Sequence, residues 1–133
     1  MMGMKELLFF AKLTTMPNST RFEDLFVWQE AIKLAREIFV LFEDIRCFSV
    51  KNQIERASIS ISANIAEGNE HGTNKQFVKH LFIAKASCGE VRSLLILAKE
   101  LNLIVATKID PLVDSSGKLS IMIHNLIKAR GRK

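Results

Sequence analysis

Three histidines, two cysteines and a scatter of serines are the residues from which this chain would have to build covalent or metal chemistry. A hydrolase needs a nucleophile with an adjacent base, and none of His71, His80 and His124 stands at a spacing that pairs it with a serine. A di-metal helical bundle needs Glu-x-x-His elements on two helices, and the sequence contains none. Cys47 and Cys88 lie far apart, form no Cys-x-x-Cys pair and have no histidine at ligand spacing. A zinc site is therefore not expected, and two reduced thiols in a cytoplasmic protein are. The expectation is no catalytic residue, no metal and no cofactor.

Two sets of polar residues can do non-covalent chemistry instead. Gln53, Arg56, Asn64 and Glu67 lie along one predicted helix, and Ser87 and Glu90 lie along the next. Such a set can form a buried Arg–carboxylate pair with amide support, fixing the register of two helices. It can also line a polar pocket in which Arg56 pairs with a nucleotide or phosphate. The second set is basic. Lys85, Arg92 and Lys99 recur every seven residues and so form a row along one side of a helix. Lys75 and Lys79 extend the charge toward the start of that helix, and Lys128, Arg130, Arg132 and Lys133 cluster at the end of the sequence. Such a row holds phosphates by charge, with little sequence readout. No aromatic residue interleaves it, which argues against stacking on single-stranded bases. The same residues can equally be a solvated helix flank with a solubilising tail.

Charge distribution supports the first of these readings. Residues 1–70 hold 8 Lys/Arg against 10 Asp/Glu, and residues 71–133 hold 11 against 4, giving balances of −2 and +7 within a net +5. A basic half of this kind suits a polyanionic partner. A length of 133 residues fits one domain with a real core. With 48% hydrophobic and 25% charged residues the composition is that of a soluble globular protein. No segment approaches the ~20 apolar residues that span a bilayer. The short apolar patch Leu7–Phe10 is too brief for a signal sequence and reads as part of an extension over residues 1–21.

Four helices are predicted to position these side chains. In the first, Glu23 to Glu43, Leu25, Trp28, Ile32, Ala35, Phe39 and Phe42 form a stripe spaced by threes and fours. The second runs from Val50 to Glu67, with Ile54, Ala57, Ile61 and Ile65 on one face and Gly68 as its left-handed terminator. After a Gly- and Asn-rich loop, Thr73 caps the third, Asn74 to Leu101. Its stripe Phe77, Leu81, Ala84, Cys88, Val91, Leu95 and Ala98 is unbroken, and Phe82, Ile83, Leu94, Leu97 and Leu101 widen it beyond what one core seam needs. The excess points to a subunit interface or a broad core. Gly89 inside this helix implies a close helix contact. The fourth begins near Thr107 or Asp110–Pro111, carries Leu112, Leu119, Ile123, Leu126 and Ile127 inward, and has a candidate kink at Ser115–Gly117. Short connections make an all-α, antiparallel up-down four-helix bundle over residues 22–130 the economical fold, followed by a basic tail at 131–133.

Three blocks of sequence carry a resemblance. FEDLFVWQEAIKLA (Phe22 to Ala35), QIERASISISANIAEG (Gln53 to Gly68) and FVKHLFIAKASCGEVRSLL (Phe77 to Leu95) resemble, in order, the opening, centre and third-helix elements of the four-helix-bundle family encoded in 23S rRNA intervening sequences. Ser62 replaces that family's usual proline, Ala63 its serine, and Ala86 stands where glycine is common. The resemblance implies a left-handed bundle that assembles as a ring-like homo-oligomer, typically a pentamer. It also implies kinship with the accessory proteins of diversity-generating retroelements, which resemble nucleic-acid binders with a basic surface. Gln53, Arg56, Asn64, Glu67, Ser87 and Glu90 match the family's polar positions.

The sequence is thus read as a non-enzymatic, cytoplasmic, self-assembling bundle that binds structured RNA or DNA through its basic surface. The alternative is a protein–protein adaptor, docking a partner such as a reverse transcriptase on the extra apolar surface of the third helix or on Leu7–Phe10.

Overall fold

The computed structural model describes residues 3–7 and 21–131. Most of the N-terminal extension, including nearly all of the Leu7–Phe10 patch, lies outside the described residues, as do Arg132 and Lys133. A short 3-10 turn, Phe22–Asp24, leads into four helices: α1 (Phe26–Leu41), α2 (Phe48–Glu70), α3 (Asn74–Glu100) and α4 (Ala106–Gly131). Each packs against its neighbour in the chain and α1 closes against α4, which makes an antiparallel four-helix bundle. Among the described residues there is no strand, and no helix is long and apolar enough to cross a membrane.

The core follows the apolar spacing in three of the four helices. Phe77, Leu81, Ala84, Cys88, Val91, Leu95 and Ala98 of α3 are all buried, as are Ile54, Ala57, Ile61 and Ile65 of α2. In α4 the expected Leu112, Leu119, Ile123, Leu126 and Ile127 are joined by Ile109 and Ser116. Each fully buried Ile or Leu contributes about 1.5–3 kcal/mol of transfer free energy.

Helix α1 differs from its expected face. Its interior residues are Val27, Ala31, Leu34 and Ile38, flanked by Leu25 and Phe42, while Phe39 is 40% exposed. Two parallel apolar stripes, one residue and so about 100° apart, run along this helix, and spacing alone does not choose between them. Trp28 is consequently half-buried at the margin and packs edge-on against Phe22, with ring centroids 5.2 Å apart.

The helix ends refine the sequence reading further. Gly68 does not end α2. It lies inside the helix, buried, and a Cβ there would come within 2.6 Å of the His80 Cβ. The left-handed terminator is Gly72, at φ 78°. Thr73 caps α3 as expected, its hydroxyl accepting from the Gln76 N–H at 3.3 Å. At the other end Asn102 adopts φ 57°. There the Leu103 N–H donates to Ala98 O and the Asn102 N–H to Lys99 O, both at 3.0 Å, forming a Schellman motif. Helix α4 begins at Ala106, in keeping with the Thr107 alternative rather than Asp110–Pro111, and so has Pro111 inside it. It stays helical through Ser115–Gly117, where the Ser115 and Ser116 hydroxyls donate back to Pro111 O and Val113 O.

Candidate functional site

The polar set of α2 and α3 assembles, but around a different centre from the one expected. Arg56 is exposed and joins no ion pair among the described residues, so the buried Arg–carboxylate pair does not form. Gln53 Nε2 donates to Glu90 Oε2 at 2.7 Å, an exposed clasp between the two helices. Deeper in, Asn64 Nδ2 donates to Ser60 O at 2.9 Å and to Ser60 Oγ at 3.0 Å. Ser87 Oγ lies 2.9 Å from Ser60 Oγ and donates to Ile83 O at 3.1 Å. Asn64 Oδ1 lies 3.1 Å from His80 Nδ1. Glu67 is mostly exposed, its carboxylate 3.9 Å from the same ring nitrogen.

Sequence reading missed Ser60 and His80 as members of this chain of bonds. Ser60, Asn64 and Glu67 recur at spacings of four and three, which places them on one face of α2, and His80 lies on the first turns of α3 facing it. That periodicity was the available signal. The seam is close because Gly68 has no side chain there.

The basic residues divide between two regions. Arg92 and Lys99 line a groove of about 690 Å³ between α3 and α4, together with Gly89, Gly117 and Lys118. Its charge is largely neutralised locally: Lys99 pairs with Asp110 at 2.8 Å and Lys118 with Asp114 at 3.2 Å. The Asp110 carboxylate raises the Lys99 pKa above its ordinary value, chiefly through that hydrogen bond. Lys85 is half-buried and Arg92 exposed. Gly89 has no close helix contact, since a Cβ there would meet nothing within 4 Å.

The second region is the end of the bundle where α3 begins and α4 finishes. Lys75, Lys79 and Lys128 are exposed there and take part in no ion pair among the described residues. Lys75 and Lys79 lie roughly a third of a turn around α3 from the Lys85–Arg92–Lys99 row. Arg130 departs from the expected surface cluster. It is 2% exposed, its guanidinium sits 5.6 Å from the centre of the Phe77 ring, and its carbonyl accepts from the Asn74 amide. Burial lowers its pKa from the usual guanidinium value. It fastens α4 to the start of α3 rather than reaching outward.

Cys88 is buried, and desolvation pushes its thiol up to about 12, which makes it unreactive near neutral pH.

A solved protein of unknown function from the S23 ribosomal protein family of Bacteroides thetaiotaomicron shares the fold, with a TM-score of 0.72 over 77% of this chain and 98% of that one. The two are 24% identical. No curated protein matches the chain. The family profile described as 23S rRNA-intervening sequence protein matches residues 23–125, which takes in the three sequence blocks except Phe22, and most of the four helices. The chain belongs to the 23S rRNA-intervening sequence protein family.

Proposed function

We propose that this bundle is a non-catalytic, self-associating module that captures structured RNA or DNA by charge. The observation that carries the reading is the group of exposed cations Lys75, Lys79 and Lys128 at one end of the bundle, without carboxylate partners among the described residues. Arg132 and Lys133 follow directly in sequence. Arg92 and Lys99 contribute less, because Asp110 and Asp114 share their groove, and Lys85 contributes less because it is half-buried. Each phosphate contact is weak, and a ring-like homo-oligomer, a pentamer in the family's pattern, would repeat the group and gain affinity through multivalency.

The test is titration of the full chain with structured RNA and duplex DNA at ~50 and ~200 mM salt. Binding that weakens by orders of magnitude between the two supports charge capture. Replacing Lys75, Lys79 and Lys128 by Gln should then reduce both the affinity and its salt slope. An unchanged slope would reject this surface.

A second reading has its own observation. Phe82, Ile83 and Leu97 of α3 and Leu101 at its C-cap are 41–54% exposed, a run of apolar surface of the kind that suits a protein partner. Docking of a protein there would survive high salt, because apolar burial is not screened.

A further inference from the structure

Near the α2–α3 turn, three side chains able to ligate a metal converge. Glu67 and His71 are one helical turn apart on α2 and its cap, and His80 faces them from α3. One ligand atom from each lies within 4.8 Å of the other two. We propose that Glu67, His71 and His80 form a binding site for a divalent transition metal of the zinc type, clipping the end of α2 to the start of α3.

The hydrogen bonds around the cluster prepare it. Ser60 O can only accept, so the Asn64 amide must turn its NH2 toward Ser60 and its oxygen toward His80. That oxygen in turn only accepts, so the 3.1 Å contact requires the proton of His80 to sit on Nδ1. Nε2 of the neutral ring then carries the lone pair that a metal needs. An imidazole held through its other nitrogen is the usual second-sphere arrangement for a metal-binding histidine.

The ligand set suits the ion. Two imidazoles and a carboxylate bind Zn²⁺ at about 2.0–2.2 Å, and a tetrahedral site separates its ligands by about 3.4 Å. Glu67 now lies 3.9 Å from Nδ1, the donor nitrogen, so closing on Nε2 requires Glu67 to rotate toward it and His71 to rotate out of its stack. Both are exposed, whereas His80 is held, its side chain only 12% exposed. The His71 and His80 rings already stack at 5.2 Å with 22° between their planes, which keeps His71 over its partner. Gly68 completes the arrangement, because any side chain there would push His80 away. Three protein ligands leave a fourth position for water.

The experiment is equilibrium binding of ZnCl2 to the full chain, with Co²⁺ as a spectroscopic substitute. One Zn²⁺ per chain is expected, with affinity falling at least tenfold in His71→Ala and in Glu67→Gln. Both variants change exposed side chains and should keep the helical circular dichroism of the parent. His124→Ala, on the exposed side of α4, should bind as the parent does. Zn²⁺ should raise the thermal midpoint of the parent and of His124→Ala only. Bound Co²⁺ should show visible d–d bands without thiolate charge transfer. Absence of binding at ~1 mM Zn²⁺, equal affinity in His71→Ala, or a Co²⁺–thiolate band reporting Cys47 would each overturn the site.

Discussion

Two glycines on facing helices carry opposite consequences. At Gly68 a Cβ would lie 2.6 Å from the His80 Cβ and 3.3 Å from the Phe77 backbone, so something must shift. Gly68→Ala gains about 1 kcal/mol of helix propensity but overpacks the α2–α3 seam, which costs about 1–3 kcal/mol. The expected result is a lower denaturant midpoint together with weakened Zn²⁺ binding. Gly89→Ala gains the same propensity and meets nothing within 4 Å, so in an isolated chain it should raise stability by up to about 1 kcal/mol. Urea unfolding of both variants checks the pair. Cys88 supplies a pH dependence. Its thiol is pushed from 9.0 to about 12 by burial alone, so the folded state holds a proton that the unfolded state gives up earlier. The unfolded chain therefore gains from alkali before the folded one does. Stability from this group is complete below pH 9 and is lost as the pH climbs toward 12, a loss that Cys88→Ala should remove from the alkaline unfolding profile.

Helix ends and faces show what the sequence could and could not convey. The α3 stripe was legible because its apolar residues occupy one face at regular spacing, and all seven are buried. The α1 face was not, because Val27–Ile38 and Trp28–Phe39 are equally periodic and only packing against α2 and α4 decides between them. Gly68 misled for a related reason: a glycine near a helix end reads as a terminator, while its contact with His80 exists only once α3 folds back. The candidate site suffered similarly. Exposure of Arg56 and burial of Arg130 depend on which helix lies opposite, and neither is local information. The Thr73 cap, being local, was read correctly. Substitutions at two residues test the ends of α3. Thr73→Ala removes the acceptor for the Gln76 N–H and should cost about 1 kcal/mol. Asn102→Ala places an ordinary side chain at φ 57° and should cost a similar amount, about 1–2 kcal/mol, whereas Asn102→Gly should be neutral or better. Thermal midpoints of the three variants would separate these expectations.

At the scale of the whole molecule, charge and apolar surface on α3 point to linked events. Among the described residues a single copy presents three exposed cations at this end, and three contacts give a shallow salt slope and weak binding. In the proposed reading useful affinity requires several copies acting together, and the excess apolar surface of α3, where Phe82 and Leu97 are exposed, is the candidate contact between them. Replacing both by Ser tests the linkage without altering charge. Loss of assembly should appear as a smaller mass in sedimentation and as a thermal midpoint that no longer rises with protein concentration. If capture depends on assembly, RNA binding should weaken in the same variant and its salt slope should fall toward that of a single copy. A variant that becomes monomeric yet keeps the parental slope would show that one subunit makes all the phosphate contacts. Retained assembly would instead move the interface to the α3–α4 groove, where Gly89 and Gly117 leave room for a neighbouring helix. In that case Gly89→Ala, stabilising in an isolated chain, should lower the concentration-dependent part of the melting temperature.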